Sequence, residues 1–168
     1  MIIVSDSTPL ITLLKATQLE VLHELFGEIV IPEAVFRELT SNEKFPHEAE
    51  LIRSSSFIRV VSVADRKTVS VLQRATGLDL GESEAIVYAD DAGADLLLMD
   101  EIPGRRIALE MGLHIMGSIG VLVLAFKEGY LSRTDAEISF QKIRAADRHI
   151  GNQLINDALD IIHHMESK

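Results

Sequence analysis

Short apolar runs alternate with helically spaced stretches along most of this chain. Ile2-Ile3-Val4-Ser5-Asp6 is a β-branched run closed by an acid, and it predicts a buried strand over 2–6. Pro9 then stands in the first turn of a helix, where its missing N–H costs nothing. Leu10, Leu13 and Leu14 give that helix its spacing. A second helix is expected from about Gln18 to Phe26, ended by Gly27. Glu28-Ile29-Val30-Ile31 predicts a short strand, and Pro32 opens a helix that carries Val35, Phe36, Glu38 and Leu39. Residues 41–47 read as a loop, 47–55 as a helix, and Phe57 to Val63 as an edge strand.

Asp65 is placed to cap a helix over 66–76 that stops at Gly77. Glu82 to Ala92 follows as a helix with Ala85, Ile86 and Ala89 on its apolar side. Residues 95–99 are a second buried strand, closed by Asp100. A helix over 103–111, a strand over 113–116, and a helix over 118–127 that is apolar nearly all round come next. Two helices, 132–148 and 152–165, end the chain. Strands alternating with helices predict an α/β sandwich with a mostly parallel sheet.

The length of 168 residues suits one ordinary domain with a core that needs no staples. No cysteine is present, which excludes disulfides, Cys-ligated zinc and thiolate catalysis. The start carries no basic segment, and Asp6 interrupts its apolar run, so no signal peptide is expected. No apolar stretch reaches the ~20 residues of a membrane helix. A soluble, cytoplasmic protein is expected.

The net charge of −10 argues against a protein that coats nucleic acid with its whole surface. The charges are unevenly spread. Residues 53–74 hold Arg53, Arg59, Arg66, Lys67 and Arg74 against Asp65 alone, while residues 75–104 hold eight acids and no base.

Asp6 and Asp100 draw attention because each ends a buried strand. In open α/β sheets that edge binds ligands. Two further acids, Glu38 and Glu82, stand on helices. Carboxylates gathered at one edge repel each other unless a cation neutralises them, so the pattern points to a divalent metal and hydrolytic chemistry. Glu82 and Glu84 are two apart on a helix start, so at most one of them faces such a site. Asp100 needs a cation or a partner such as Arg105 or Arg106. The six histidines form no ligand motif. No GxGxxG and no P-loop is present, and Gly117-Ser-Ile-Gly120 is better explained by close helix packing. A receiver-like phosphoacceptor domain would want a lysine after the last strand, and none occurs before Lys127.

Several segments together resemble the PIN domain of VapC-type toxin ribonucleases. They are Val4-Ser-Asp-Ser-Thr-Pro-Leu10, Ile29-Val-Ile-Pro-Glu-Ala-Val-Phe-Arg-Glu38, Leu80-Gly-Glu-Ser-Glu-Ala-Ile86, Ala94-Asp-Leu-Leu-Leu-Met-Asp100, Gly104-Arg-Arg106 and Gly117-Ser-Ile-Gly120. The resemblance covers residues 2 to about 130. It implies a three-layer α/β/α sandwich over 1–130, with 131–168 as a C-terminal helical extension packed on the same domain. It implies a metal-dependent ribonuclease for single-stranded RNA, with Mg²⁺ or Mn²⁺ as cofactor. The four family acids fall on Asp6, Glu38, Glu82 and Asp100. Glu82 stands where the family usually has Asp, and Glu84 competes for that place. Ser7, Arg105 and Arg106 are the implied nucleic-acid contacts. The implied partners are the RNA substrate, an antitoxin protein and a second copy of the chain. The competing function is a catalytically weak or inactive PIN-like module that binds a partner.

Overall fold

The computed structural model describes residues 1–146 and 150–165. The elements are β1 (Ile3–Ser5), α1 (Ser7–Lys15), α2 (Val21–Phe26), β2 (Ile29–Pro32), α3 (Glu33–Thr40), α4 (Pro46–Ser54) and β3 (Ile58–Val61). They continue with α5 (Arg66–Thr76), α6 (Leu80–Asp91), β4 (Leu96–Leu98), α7 (Ile102–Glu110), β5 (Ile115–Met116), α8 (Ser118–Lys127), α9 (Arg133–Ala146) and α10 (Asn152–His164). Positions 147 and 148 of the expected penultimate helix lie outside the described residues.

The five strands form one all-parallel sheet in the order β3-β2-β1-β4-β5. β3 is an edge strand, as the alternation over Phe57 to Val63 predicts. β1 pairs in register with β4, Val4 opposite Leu97. Successive strand side chains point to opposite faces, and the two cores divide accordingly. Ile3 and Leu98 join the core built with α1, α2, α8, α9 and α10, around Leu10, Leu22, Phe126, Phe140 and Ile155. Val4, Leu97 and Met99 join the core under α6 and α7, with Ile86 and Ala108. A parallel sheet covered on both faces needs apolar side chains on both, which is why the strands read as continuous apolar runs. The result is the three-layer α/β/α sandwich.

Several ends follow their local chemistry. The Asp65 carboxylate accepts the Thr68 N–H at the start of α5 (2.9 Å), and Gly77 closes that helix at φ +76°. α6 is buried almost all round, from Gly81 to Val87. It packs on β1, β2 and β4, and this lays its first turn across the C-terminal edge of the sheet. Among the described residues no helix is long and apolar enough to cross a membrane.

Candidate active site

β1 is the strand at which the sheet order reverses. The chain moves from β1 to β2 on one side and later returns to β4 on the other. The crevice outside the C-terminal ends of such strands is where doubly wound sheets bind ligands. Asp6 is the first residue beyond β1, and its N–H continues the ladder to the Leu98 carbonyl (3.0 Å). It occupies the N-cap position of α1 with extended backbone, yet its side chain makes no capping bond. Only 2 % of Asp6 is exposed, and its Oδ1 has no hydrogen-bond partner. Burial pushes its pKa up to about 8. The Ser7 backbone N–H opposes that rise, and the neighbouring charges of Asp79, Glu82 and Glu38 add to it.

Glu82 reaches the same place from the first turn of α6. Asp79 Oδ1 accepts the Glu82 N–H (2.8 Å), and the Asp79 N–H donates to Glu82 Oε2 (3.0 Å). This reciprocal capping box fixes Glu82 with one oxygen used. The other oxygen, Oε1, is buried without a partner. Gly104 of α7 passes so close that a Cβ there would lie 3.0 Å from Glu82 Oε1. The pKa of Glu82 is raised, first by burial and then by Asp79, Glu101 and Glu38, against the backbone bond from Asp79. A capping box needs the longer side chain at this position. The glutamate at position 82 therefore has a local cause.

Glu38, in the last turn of α3, is the most open of the four proposed acids. Its Oε2 lies 3.4 Å from where a Cβ on Gly81 would sit. Desolvation raises its pKa, the Ser7 hydroxyl bond lowers it, and Asp79 and Glu101 raise it further. Ser7 is thus placed against an acid of the cluster. An open cavity of about 370 Å³ beside it is lined by Ala34, Arg37, Glu38, Asp79, Leu80 and Gly81.

Asp100 lies two residues past β4 and is differently held. Its Oδ1 accepts the Ser118 N–H (2.7 Å) and its Oδ2 accepts the Ser118 hydroxyl (2.8 Å). Thr12 Oγ1 lies 3.5 Å from Oδ2, at the limit of hydrogen-bond reach. The Arg105 guanidinium donates to the Met99 carbonyl (2.8 Å), and Arg106 faces Glu110 at 4.0 Å on the exposed side of α7. Glu84 is turned away. It is buried, pairs with Arg66 and accepts the Ala34 N–H (3.1 Å), so it ties α6 to α3 and α5.

The structure therefore brings Asp6, Glu38 and Glu82 into one electrostatic cluster. Asp100 stands at the neighbouring strand end, held by Ser118. Asp79 and Glu101 join the cluster, two acids that the pattern of strand ends and helix acids does not single out. Glu101 accepts a bond from Thr8 Oγ1 (3.2 Å). The Asp-x-x-Glu spacing over 79–82 is a capping-box signature and carried the signal for Asp79. Among the described residues no three acids or histidines sit close enough together to hold an ion as they stand. The donors themselves fit Mg²⁺ or Mn²⁺. They are hard carboxylate oxygens, two of them buried and unpartnered, in a cluster whose like charges oppose each other's ionisation.

No curated protein and no solved structure shows significant similarity to the chain. A family model described as PIN domain matches residues 2–164, running through α9 and α10 as well as the sheet. With that match over nearly its whole length, the chain belongs to the PIN domain family, whose fold is of nuclease type.

Proposed function

We propose that this protein is a metal-dependent endoribonuclease acting on single-stranded RNA, the toxin component of a toxin–antitoxin pair. The observation that carries the reading is the Asp6 carboxylate, buried beside two other acids with one oxygen left without a partner. An orphaned, self-repelling carboxylate at the binding edge of the sheet costs folding free energy. A cation would offset that cost.

Asp6, Glu82, Glu38 and Asp100 would hold the ion, directly or through water. When bound, Mg²⁺ or Mn²⁺ supplies an acidified water and neutralises charge on the phosphodiester. Burial favours the protonated form of Asp6, and the carboxylate would have to lose that proton to hold a cation. The Ser7 hydroxyl bonds to Glu38, and the capping box holds Glu82 with Oε1 buried and unpartnered. Arg37 lines the cavity shared with Glu38 and Asp79, where an RNA phosphate would lie. Arg105 and Arg106 are the second candidates for that contact. An antitoxin protein and a second copy of the chain complete the partners of this reading.

The deciding experiment is Mn²⁺-dependent cleavage of a single-stranded RNA by wild type and Asp6→Asn side by side. Cleavage by wild type alone supports the reading. No cleavage by either, or equal cleavage by both, removes it.

One observation favours a second reading, a partner-binding module. A cavity of about 530 Å³ lies away from the acids, where α1, α2 and α4 meet. Lys15, Glu20, His23, His47, Leu51 and Phe57 are among its walls.

A further inference from the structure

We infer that Ser118 is a positioning residue of the site, acting through Asp100, and that Gly117 is required beside it for space rather than for conformation. The inference rests on the nuclease reading above, but its geometry is independent of it. Asp6 and Glu82 each leave a carboxylate oxygen without a partner. Asp100 instead has both oxygens held by a single residue across 18 positions of sequence. Ser118 is fully buried and opens α8, so its N–H belongs to the positive end of that helix. The N–H and the hydroxyl together grip one oxygen each, a two-point contact that fixes the plane of the carboxylate. A single hydrogen bond would leave it free to turn.

Gly117 completes the seat. Its φ of −93° is open to any residue. A Cβ at 117, however, would lie 2.8 Å from Asp100 Oδ1 and 3.3 Å from Arg105 Nη1. Real Cβ contacts are not that short, so a side chain here would push the carboxylate off Ser118. The Gly117-Ser118 pair thus carries more than close helix packing. Groups that orient a ligating carboxylate matter nearly as much as the ligand, and losing one costs about 10–100-fold in metal affinity.

The test uses the full chain, with Mn²⁺ as the probe read by the electron paramagnetic resonance of the free ion. Ser118→Ala removes one of the two bonds. Gly117→Ala keeps both donors and displaces the acceptor. Each is expected to weaken Mn²⁺ binding about tenfold or more. Each should also lower kcat for RNA while leaving KM unchanged. In an Asp100→Asn background neither change should add further loss, because both act through that carboxylate. Mn²⁺ affinity within about twofold of wild type in both variants overturns the inference, as do losses that add fully to that of Asp100→Asn. Should Ser118→Ala fail to fold, Gly117→Ala decides, since its backbone accepts alanine.

Failure of the nuclease reading gives a different result. If Mn²⁺ binding weakens as expected but wild type cuts no RNA, the positioning role stands and the nuclease reading falls. If RNA is cut and both variants bind Mn²⁺ normally, the reverse holds. If wild type binds no Mn²⁺, both fall.

Discussion

Replacing Asp6 with Asn should make the metal-free protein more stable, and increasingly so as pH rises. The wild-type carboxyl holds its proton more tightly in the folded chain, with a pKa of about 8, than in the unfolded chain, near 3.8. Raising the pH strips that proton from the unfolded chain first and so draws the equilibrium toward unfolding. This side chain's contribution is most favourable below pH 4, is lost progressively between about 4 and 8, and is level above. At about 1.4 kcal/mol for each tenfold in proton affinity, the loss reaches about 6 kcal/mol at high pH. At pH 5 about 2 kcal/mol of it has already been lost, so the range from pH 5 to pH 9 carries about 4 kcal/mol. Glu38 and Glu82 are raised as well and give both proteins a shared slope, so the difference between them is the quantity to read. The assay is urea unfolding of wild type and Asp6→Asn at pH 5, 7 and 9, with a chelator present. The gap should widen in favour of the asparagine variant by about 2–4 kcal/mol from pH 5 to pH 9. Parallel pH profiles would refute the reasoning, because Asp6 would then ionise as easily folded as unfolded. Saturating Mn²⁺ should narrow the gap, adding about 3 kcal/mol to wild type at a hundredfold excess over Kd and little to the variant.

Three further outcomes are expected. Glu82→Gln keeps the capping box, since Gln serves at that position, and removes a charge from the cluster. It should stabilise the metal-free chain at pH 8 in chemical denaturation while weakening the Mn²⁺-induced rise in Tm. Gly104→Ala places a Cβ 2.5 Å from Met99 Sδ and 3.0 Å from Glu82 Oε1, and should cost about 1–3 kcal/mol of stability by urea unfolding. Arg37→Gln should flatten the log–log salt dependence of RNA binding by about 0.7, the value for one lost phosphate contact on a single strand. Arg106→Gln, on the exposed side of α7, tests the second candidate contact in the same way, and filter binding across a salt series shows which of the two changes the slope.

The strand ends were legible because a parallel strand buried on both faces leaves an unbroken apolar run, and the acid that closes it stands out. That is why Asp6 and Asp100 could be named and why the element order follows the periodicity so closely. The helical acids were harder. Glu82 and Glu84 share a turn and a chemistry, and what separates them is Arg66, 18 residues upstream, which engages Glu84. Asp79 was encoded by the capping spacing but reads equally well as a helix start with no other purpose. Ser118 was out of reach of any local pattern, because its partner is Asp100, brought near only when β4 and β5 pair. Arg105 lies close to Asp100 in sequence, as expected. Its bond to the Met99 carbonyl becomes visible only once α7 turns back on the strand.

The contact between Arg66 and Glu84 bears on how this chain tolerates change. Arg66 is 58 % exposed and stands at the start of a mostly solvated helix, so a scan ranking positions by accessibility would count it among the freely variable ones. Its partner is 1 % exposed. Losing the arginine would leave a buried carboxylate with only the Ala34 N–H, at the junction of the two helices that carry Glu38 and Glu82. Libraries that randomise the surface of this protein should therefore hold position 66 fixed, or vary it only together with position 84.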